Sequence, residues 1–397
     1  MIDPETVLSH HRAQFSPTGS LRLFSCPGRI NLIGEHVDYN GGHVLPAAID
    51  RRMYLCISPN EVSKFRLSSQ DFDEYTEIPI DGINTYTRES ENWWLYPFGA
   101  IVILNRKWTK GYDMTFMSDI PIGAGMSSSA AITVVTLFTL TQSENIAMTS
   151  DEMALLAQRV EREIVGVRCG IMDQFVIIHG KKNHAILLDT RDLRYHYVKH
   201  DAEISRFVLI NSGISHRLKD SEYNIRRKEC ESALSILQNS GVNIKYLCDL
   251  DSEQFQRFKN HLPSIEKKRA HHVIDENQRT LNFRKELESN NLRGAGTILY
   301  ASHKSLKELY EVSIPEIDEM VEWTKSLKGV YGSRMMGGGF GGCTINMVGT
   351  DSVTQFKESM SELFYKRFSR TPAIYECTIE NGVDELPTEK LSTFRRN

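Results

Sequence analysis

No CxxC pair occurs among the seven cysteines of this chain. Their odd number and wide spacing, from Cys26 to Cys377, speak against a disulfide framework and for reduced thiols in a cytosol. Long apolar runs are missing too. The longest, 130–140, is interrupted by threonines and too short to cross a bilayer. The opening MIDPETVLSHHRAQF carries early acids and no apolar signal core, so neither export nor anchoring is expected. A large excess of either charge is missing, with 47 basic against 51 acidic residues. A net charge of −4 gives no footprint for nucleic acid or an anionic membrane, so an anionic ligand must be held by local groups. There is no internal repeat and no low-complexity tract. The doublets His10-His11 and His271-His272 have no acidic or cysteine partner at ligand spacing, and neighbours on a helix face different ways, so no protein-bound transition metal is assigned. The short basic runs 226–228 and 267–269 read as solvated helix faces.

What is there suits a globular chain acting on a small partner: 397 residues, 40% hydrophobic and 25% charged, enough for two domains with separate cores. Residues 20–60 and 112–118 alternate as strands do, and 150–168 and 221–240 have helical spacing. The stretch 182–215 again looks stranded, and a mostly helical one runs on to about 328. The pattern is α+β, with a boundary placed near 195–205 and domains at 1–200 and 201–397.

Polar chemistry concentrates in a few segments. Between Cys26 and Asp50, Arg29, Asn31, Glu35, His36, Asp38, Tyr39 and Asn40 lie among apolar residues, a density unusual for a core strand and suited to a ligand with several hydroxyls. A loop of solvated charges is the alternative. Gly123-Ala124-Gly125-Met126-Ser127-Ser128-Ser129 precedes an apolar stretch that reads as a buried helix. Freed backbone N–H groups and a helix N-terminus suit a phosphate, although a plain serine-rich helix cap is also possible. No Lys-Ser or Lys-Thr follows the second glycine, so this is not a Walker A loop. The run 337–342 contains GxGxxG, but the β-branched residues after it favour a strand, whereas a dinucleotide loop opens a helix. Asp173 sits among apolar residues, where a merely solvated acid is out of place.

Taken in order, PGRINLIGEHVDYNGGHVLPAAI at 27–49, PIGAGMSSSAA at 121–131, CGIMDQF at 169–175 and GSRMMGGGFGGC at 332–343 resemble the galactokinases, within the GHMP small-molecule kinase superfamily. The resemblance covers nearly the whole chain. It implies a ribosomal S5 domain 2-like N-terminal domain, a ferredoxin-like C-terminal domain and an active site in the cleft between them. It also implies an ATP- and Mg²⁺-dependent enzyme making α-D-galactose 1-phosphate. Asp173 is then the catalytic base at the anomeric hydroxyl, or the group that positions it, with Arg29 orienting Asp173 and stabilising charge on the phosphoryl group. A structural Asp–Arg pair is the alternative. Glu35 and His36 are carried over toward the 6-hydroxyl, Asp38 toward the 3- and 4-hydroxyls, the Gly170 backbone toward the sugar, and Tyr223 toward the axial 4-hydroxyl. The loop 123–129 would hold ATP phosphates, Trp93 and Tyr96 would flank adenine, and Ser129 with Glu161 would hold Mg²⁺, Glu163 facing elsewhere.

The chain departs from the family at Met336 in place of threonine, at Pro97-Phe98 beside the adenine positions, and at Ser215, for which His216 or Arg217 could substitute. Two further functions stay open: phosphorylation of N-acetylgalactosamine or another pyranose, and a sugar sensor without turnover. The intact Ser127-Ser128-Ser129-Ala130 argues against the sensor. A cytoplasmic monomer or weak dimer, with no nucleic-acid or membrane partner, completes the expectation.

Overall fold

The alternating segments become β1 (Arg22–Asn31), the short β2 (His43–Val44), β3 (Pro46–Asn60), β4 (Lys64–Ser69), β5 (Glu74–Pro79) and β6 (Gly111–Ser118) in a computed structural model that describes residues 2–85, 92–215 and 219–388. Later come β7 (His184–Asp189), β8 (Tyr195–Lys199), β9 (Ser205–Ser215), β10 (Val330–Met336), β11 (Gly341–Gly349), β12 (Ala373–Cys377) and β13 (Asp384–Leu386). His216 and Arg217 lie outside the described residues.

One sheet has the order β13-β1-β3-β6-β4-β5, antiparallel except where β4 runs parallel to β6. The interior strand β1 is buried on both faces, because helices cover both. Val7 and Leu8 of the helix Pro4–Phe15 pack on Leu23, Tyr54 and Met117, while the helices Ser128–Ser143 and Met172–His179 pack on the opposite face. A second sheet, β10-β11-β9-β12, is antiparallel throughout and carries the helices Leu292–Ser305, Pro315–Thr324 and Val353–Phe368. β2, β7 and β8 form a small third sheet. The closing strand β13 returns to the first sheet and pairs with β1. Among the described residues, no helix is long and apolar enough to cross a membrane.

Three local irregularities place the chemistry. The β1–β3 register shifts between Pro27 and Arg29, and such a bulge re-aims the side chain that follows. Gly28 permits it, since a Cβ there would come within 2.7 Å of the Met126 carbonyl, while Arg29 N–H donates to that same oxygen at 3.1 Å. The helix Ser150–Arg159 starts at a capping box, Thr149 with Glu152, and runs into a π-helical turn, Val160–Val165. Such turns displace one face of a helix, and this one presents Glu161 inward. Finally, the long helix Ser264–Glu288 braces the loop after β1 through residues one helical face apart. Glu276 accepts from Gly34 N–H at 3.2 Å, His272 Nε2 lies 3.2 Å from the Glu35 carbonyl, and Asn277 Oδ1 accepts from His43 N–H at 2.8 Å.

The basic runs correct the sequence reading. Arg269 is buried, donating to Glu229 at 2.6 Å and to the Leu309 carbonyl at 2.6 Å, and Arg226 donates to the carbonyls of Tyr310 and Glu311 at 2.9 Å each. Periodicity marks which helix faces are charged, but not which of them meets a neighbouring carbonyl-rich turn.

Candidate active site

Arg29, aimed by the bulge, grips Asp173 with two parallel bonds: Nε donates to Oδ1 at 2.8 Å and Nη2 to Oδ2 at 2.7 Å. Its third nitrogen donates to the Gly125 carbonyl, and the Ser127 hydroxyl donates to Asp173 Oδ2. The carboxylate opening the helix Met172–His179 is thereby tied to β1 and to the serine loop at once. A fork of this kind fixes orientation as well as charge. The loop bends through positive φ at Gly123, Gly125 and Ser127, and the helix Ser128–Ser143 begins with no side chain capping its first N–H groups. Those donors and the positive helix end suit an anion.

The polar loop after β1 supplies the wall opposite. Buried Glu35 accepts from Asn31 at 2.8 Å, from Arg334 at 3.1 Å and from Gly337 N–H at 2.8 Å. His36 takes φ 63°, its Nδ1 lies 2.7 Å from the Tyr39 hydroxyl, and burial holds its pKa well below the usual histidine range. Burial, with the charges of Asp173 and Glu35, pushes Asp38 up to about 7. Asp38 leans on the backbone at Gly170, where a Cβ would stand 1.5 Å from its Oδ2, so only glycine fits. The Tyr223 ring lies 5.4 Å from that of His36 and 5.6 Å from that of Tyr39.

Arg29, Glu35, His36, Asp38, Gly170, Asp173, Tyr223 and the serine loop line one cleft of about 300 Å³, together with Gly337 and Gly338. Glu161 and Ser129 line it too. Burial pushes Glu161 up to about 7, against hydrogen bonds from Gln174, at 2.6 Å, and from Ser129. Glu163, by contrast, is exposed and paired with Arg159.

A second cavity of about 400 Å³ adjoins the first and shares Ser128, Ser129, Val167 and Tyr223 with it. Here the walls are aromatic. Trp93 and Tyr96 line it together with Phe72, whose ring lies 6.0 Å from that of Trp93 at an interplanar angle of 7°. Trp93 Nε1 donates to Glu74 at 2.7 Å, which fixes the indole. The two adjoining cavities form one trough, charged at one end and aromatic at the other, with Ser128 and Ser129 where they meet.

Residues 9–59 match the family described as the galactokinase galactose-binding signature, 96–181 the GHMP kinases N terminal domain, and 283–366 the GHMP kinases C terminal. A galactokinase of Roseiflexus sp. (strain RS-1) is 39% identical over 366 residues, covering 92% of this chain and 93% of its own length. One of Fusobacterium nucleatum is 36% identical over 386 residues, covering 96% and 99%. This chain belongs to the galactokinase family. The crystal structure of Lactococcus lactis galactokinase complexed with galactose matches with a TM-score of 0.92 at 33% identity, covering 96% of this chain and 99% of that one. A mevalonate kinase of Methanococcus jannaschii, with a TM-score of 0.62 at 20% identity over 92% of this chain and 100% of that one, shares the fold. The α+β GHMP kinase fold expected from the sequence is the fold observed.

For this galactokinase family member, the residues expected at the site meet around the trough. Sequence reasoning missed Arg334 and Phe72. Arg334 is fully buried in β10 and donates to the carbonyls of Asn31 at 2.5 Å and Leu32 at 2.8 Å as well as to Glu35, which fastens the polar loop to the second sheet. A lone basic residue inside the apolar and glycine-rich 332–343 was the available signal. Of the departures, Met336 is buried against the core, and Pro97 and Phe98 lie buried in the helix Leu95–Ile103.

Proposed function

We propose that this chain transfers the γ-phosphoryl group of ATP to the 1-hydroxyl of α-D-galactose, giving galactose 1-phosphate and ADP. The observation that carries this reading is the Arg29–Asp173–Ser127 cluster, a carboxylate held by three donors where the hydroxyl-reading loop meets the phosphate-holding loop. Phosphoryl transfer needs alignment and charge stabilisation more than covalent chemistry. The sugar lies among Glu35, His36, Asp38, Gly170 and Tyr223, with its anomeric oxygen toward Asp173. Asp173 orients that hydroxyl and receives its proton as the bond from oxygen to the γ-phosphorus forms and the bond to the β-phosphate oxygen breaks. Arg29 keeps Asp173 in place and adds positive charge where the phosphoryl oxygens gather it.

The loop 123–129 and the N-terminal end of the helix Ser128–Ser143 hold the ATP phosphates, and Trp93 and Tyr96 hold the base. Glu161 and Ser129, both hard oxygen donors beside the serine loop, suit Mg²⁺, which keeps several waters and needs few protein ligands. When bound, that ion neutralises charge on the phosphates. The chain divides at 1–200 and 201–397, with β13 returning to the first sheet, and it works in the cytoplasm as a monomer or weak dimer.

The test is ADP release with Mg-ATP and galactose, N-acetylgalactosamine, glucose, mannose or arabinose, with phosphorus NMR of the product. Galactose turnover yielding an anomeric phosphate is expected. A preference for another sugar would move the substrate, and galactose binding without ADP release would leave a sensor.

A further inference from the structure

We propose that Gln174 is a positioning residue for the metal site, its amide holding one oxygen of the Glu161 carboxylate from outside the cleft and leaving the other for Mg²⁺. This rests on the assignment of Glu161 and Ser129 to the ion. Gln174 is the last polar residue of the run 169–175, and it has no part in the phosphoryl transfer described above. Its Nε2 donates to Glu161 Oε1 at 2.6 Å, joining the helix Met172–His179 to the π-helical turn Val160–Val165. Gln174 is fully buried and lines neither cavity, so it acts on the ligands only through Glu161.

The orientation of the amide follows from its partner. A metal-binding carboxylate is ionised and only accepts, so the amide nitrogen, not its oxygen, faces Glu161. Nε2 also lies 3.7 Å from Cys169 Sγ, a weak acceptor, and Oε1 is buried with no hydrogen-bond partner among the described residues. A half-paired buried amide is costly, and an apolar side chain of similar length would fill the space without that cost. The bond to Glu161 is what glutamine adds. The other groups around Glu161 do different work. The Ser129 hydroxyl bonds the same carboxylate but is itself a candidate ligand, and Arg29 is engaged by Asp173 and the Gly125 carbonyl. The Glu161 carbonyl accepts from the N–H groups of Gly166 and Val167 at 2.8 Å each, which fixes the backbone and not the side chain. Gln174 is therefore the donor that orients the carboxylate without competing for the ion. Because Asp173 is its neighbour in the chain, two consecutive residues set the acid at the sugar and the acid at the ion in one frame.

The experiment measures ADP affinity by calorimetry at saturating galactose, once with Mg²⁺ and once with EDTA, beside the Mg²⁺ concentration that gives half-maximal ADP release from ATP. The native chain should bind ADP about tenfold more tightly with Mg²⁺ than with EDTA. In Gln174→Met that gain should fall to about twofold or less and the half-maximal Mg²⁺ concentration should rise about tenfold, with galactose affinity and ADP affinity in EDTA as in the native chain. In a Glu161→Gln background, Gln174→Met should change the Mg²⁺ effect no further, because it acts through Glu161. An undiminished Mg²⁺ effect in Gln174→Met would overturn the proposal, as would a loss that adds in full to that of Glu161→Gln or falls equally on galactose. If the methionine variant does not fold, Gln174→Asn, an amide one carbon shorter that falls short of Glu161, makes the same comparisons. Absence of any Mg²⁺ effect on ADP binding by the native chain would overturn the metal assignment beneath the proposal, whereas a native effect that the substitution leaves intact overturns the proposal alone.

Discussion

The two ends of the trough are built by opposite means. The end proposed for the sugar is built from the charged pairs Arg29 with Asp173 and Arg334 with Glu35, and from Asp38 set against the Gly170 backbone. The base end is built from rings and aliphatic side chains with few polar groups. Hydroxyl-reading carboxylates discriminate strongly, because a missing hydroxyl leaves a desolvated group unpaired, while an apolar slot discriminates weakly and contributes mainly affinity. On the proposed reading, the division puts the chemistry and sugar selectivity in one half of the trough and nucleotide affinity in the other. Substitutions at either end should therefore change one KM and spare the other.

The largest loss short of removing Asp173 should come from Arg29→Met, with kcat down by about 10²- to 10³-fold as the carboxylate loses its fork and the phosphoryl oxygens a positive charge. A fall in nucleotide affinity with kcat intact would break the division. Next, Arg334→Lys should raise the galactose KM by about tenfold with the ATP KM unchanged, since lysine cannot reproduce the planar set of bonds to Asn31, Leu32 and Glu35. Steady-state kinetics with each substrate varied in turn would show it, with circular dichroism as the folding check. Trp93→Ala should raise the ATP KM by about tenfold and leave the galactose KM alone, given that stacking on one ring contributes about 1–3 kcal/mol. The last effect is on stability. Because the folded fold holds Asp38 up at about 7 from 3.8, the charge it must carry costs stability as pH rises through that window, and the cost is absent below about 4. Thermal unfolding of ligand-free Asp38→Asn should therefore exceed the native melting temperature at pH 8 and converge with it toward pH 4. A gap that widens on acidification would contradict the burial of Asp38.

The difference between the ends also marks what could be read from sequence. Arg29, Glu35, His36, Asp38 and Asp173 stand in short runs whose polar density breaks the strand and helix patterns around them, so they were legible as residues and their roles followed from the family resemblance. Gly170 was legible as part of a motif, but its reason, the approach of the Asp38 carboxylate, needs coordinates. Arg334 acts on residues some three hundred positions away, and Phe72 reaches the base cavity from a separate segment with no shared motif. The π-helical turn that presents Glu161 leaves only a shift of helical phase in the sequence. The return of β13 to β1 is a long-range pairing of a three-residue strand, too short to announce itself.

The most direct test of Asp173 as the residue that acts on the anomeric hydroxyl is single-turnover phosphoryl transfer in Asp173→Asn at saturating galactose and Mg-ATP, with galactose affinity measured by calorimetry on the same preparation. The expected result is a transfer rate down by about 10³-fold or more, with galactose affinity within a few-fold of native. Transfer at close to the native rate would contradict the account and leave the Arg29–Asp173 pair a structural tie.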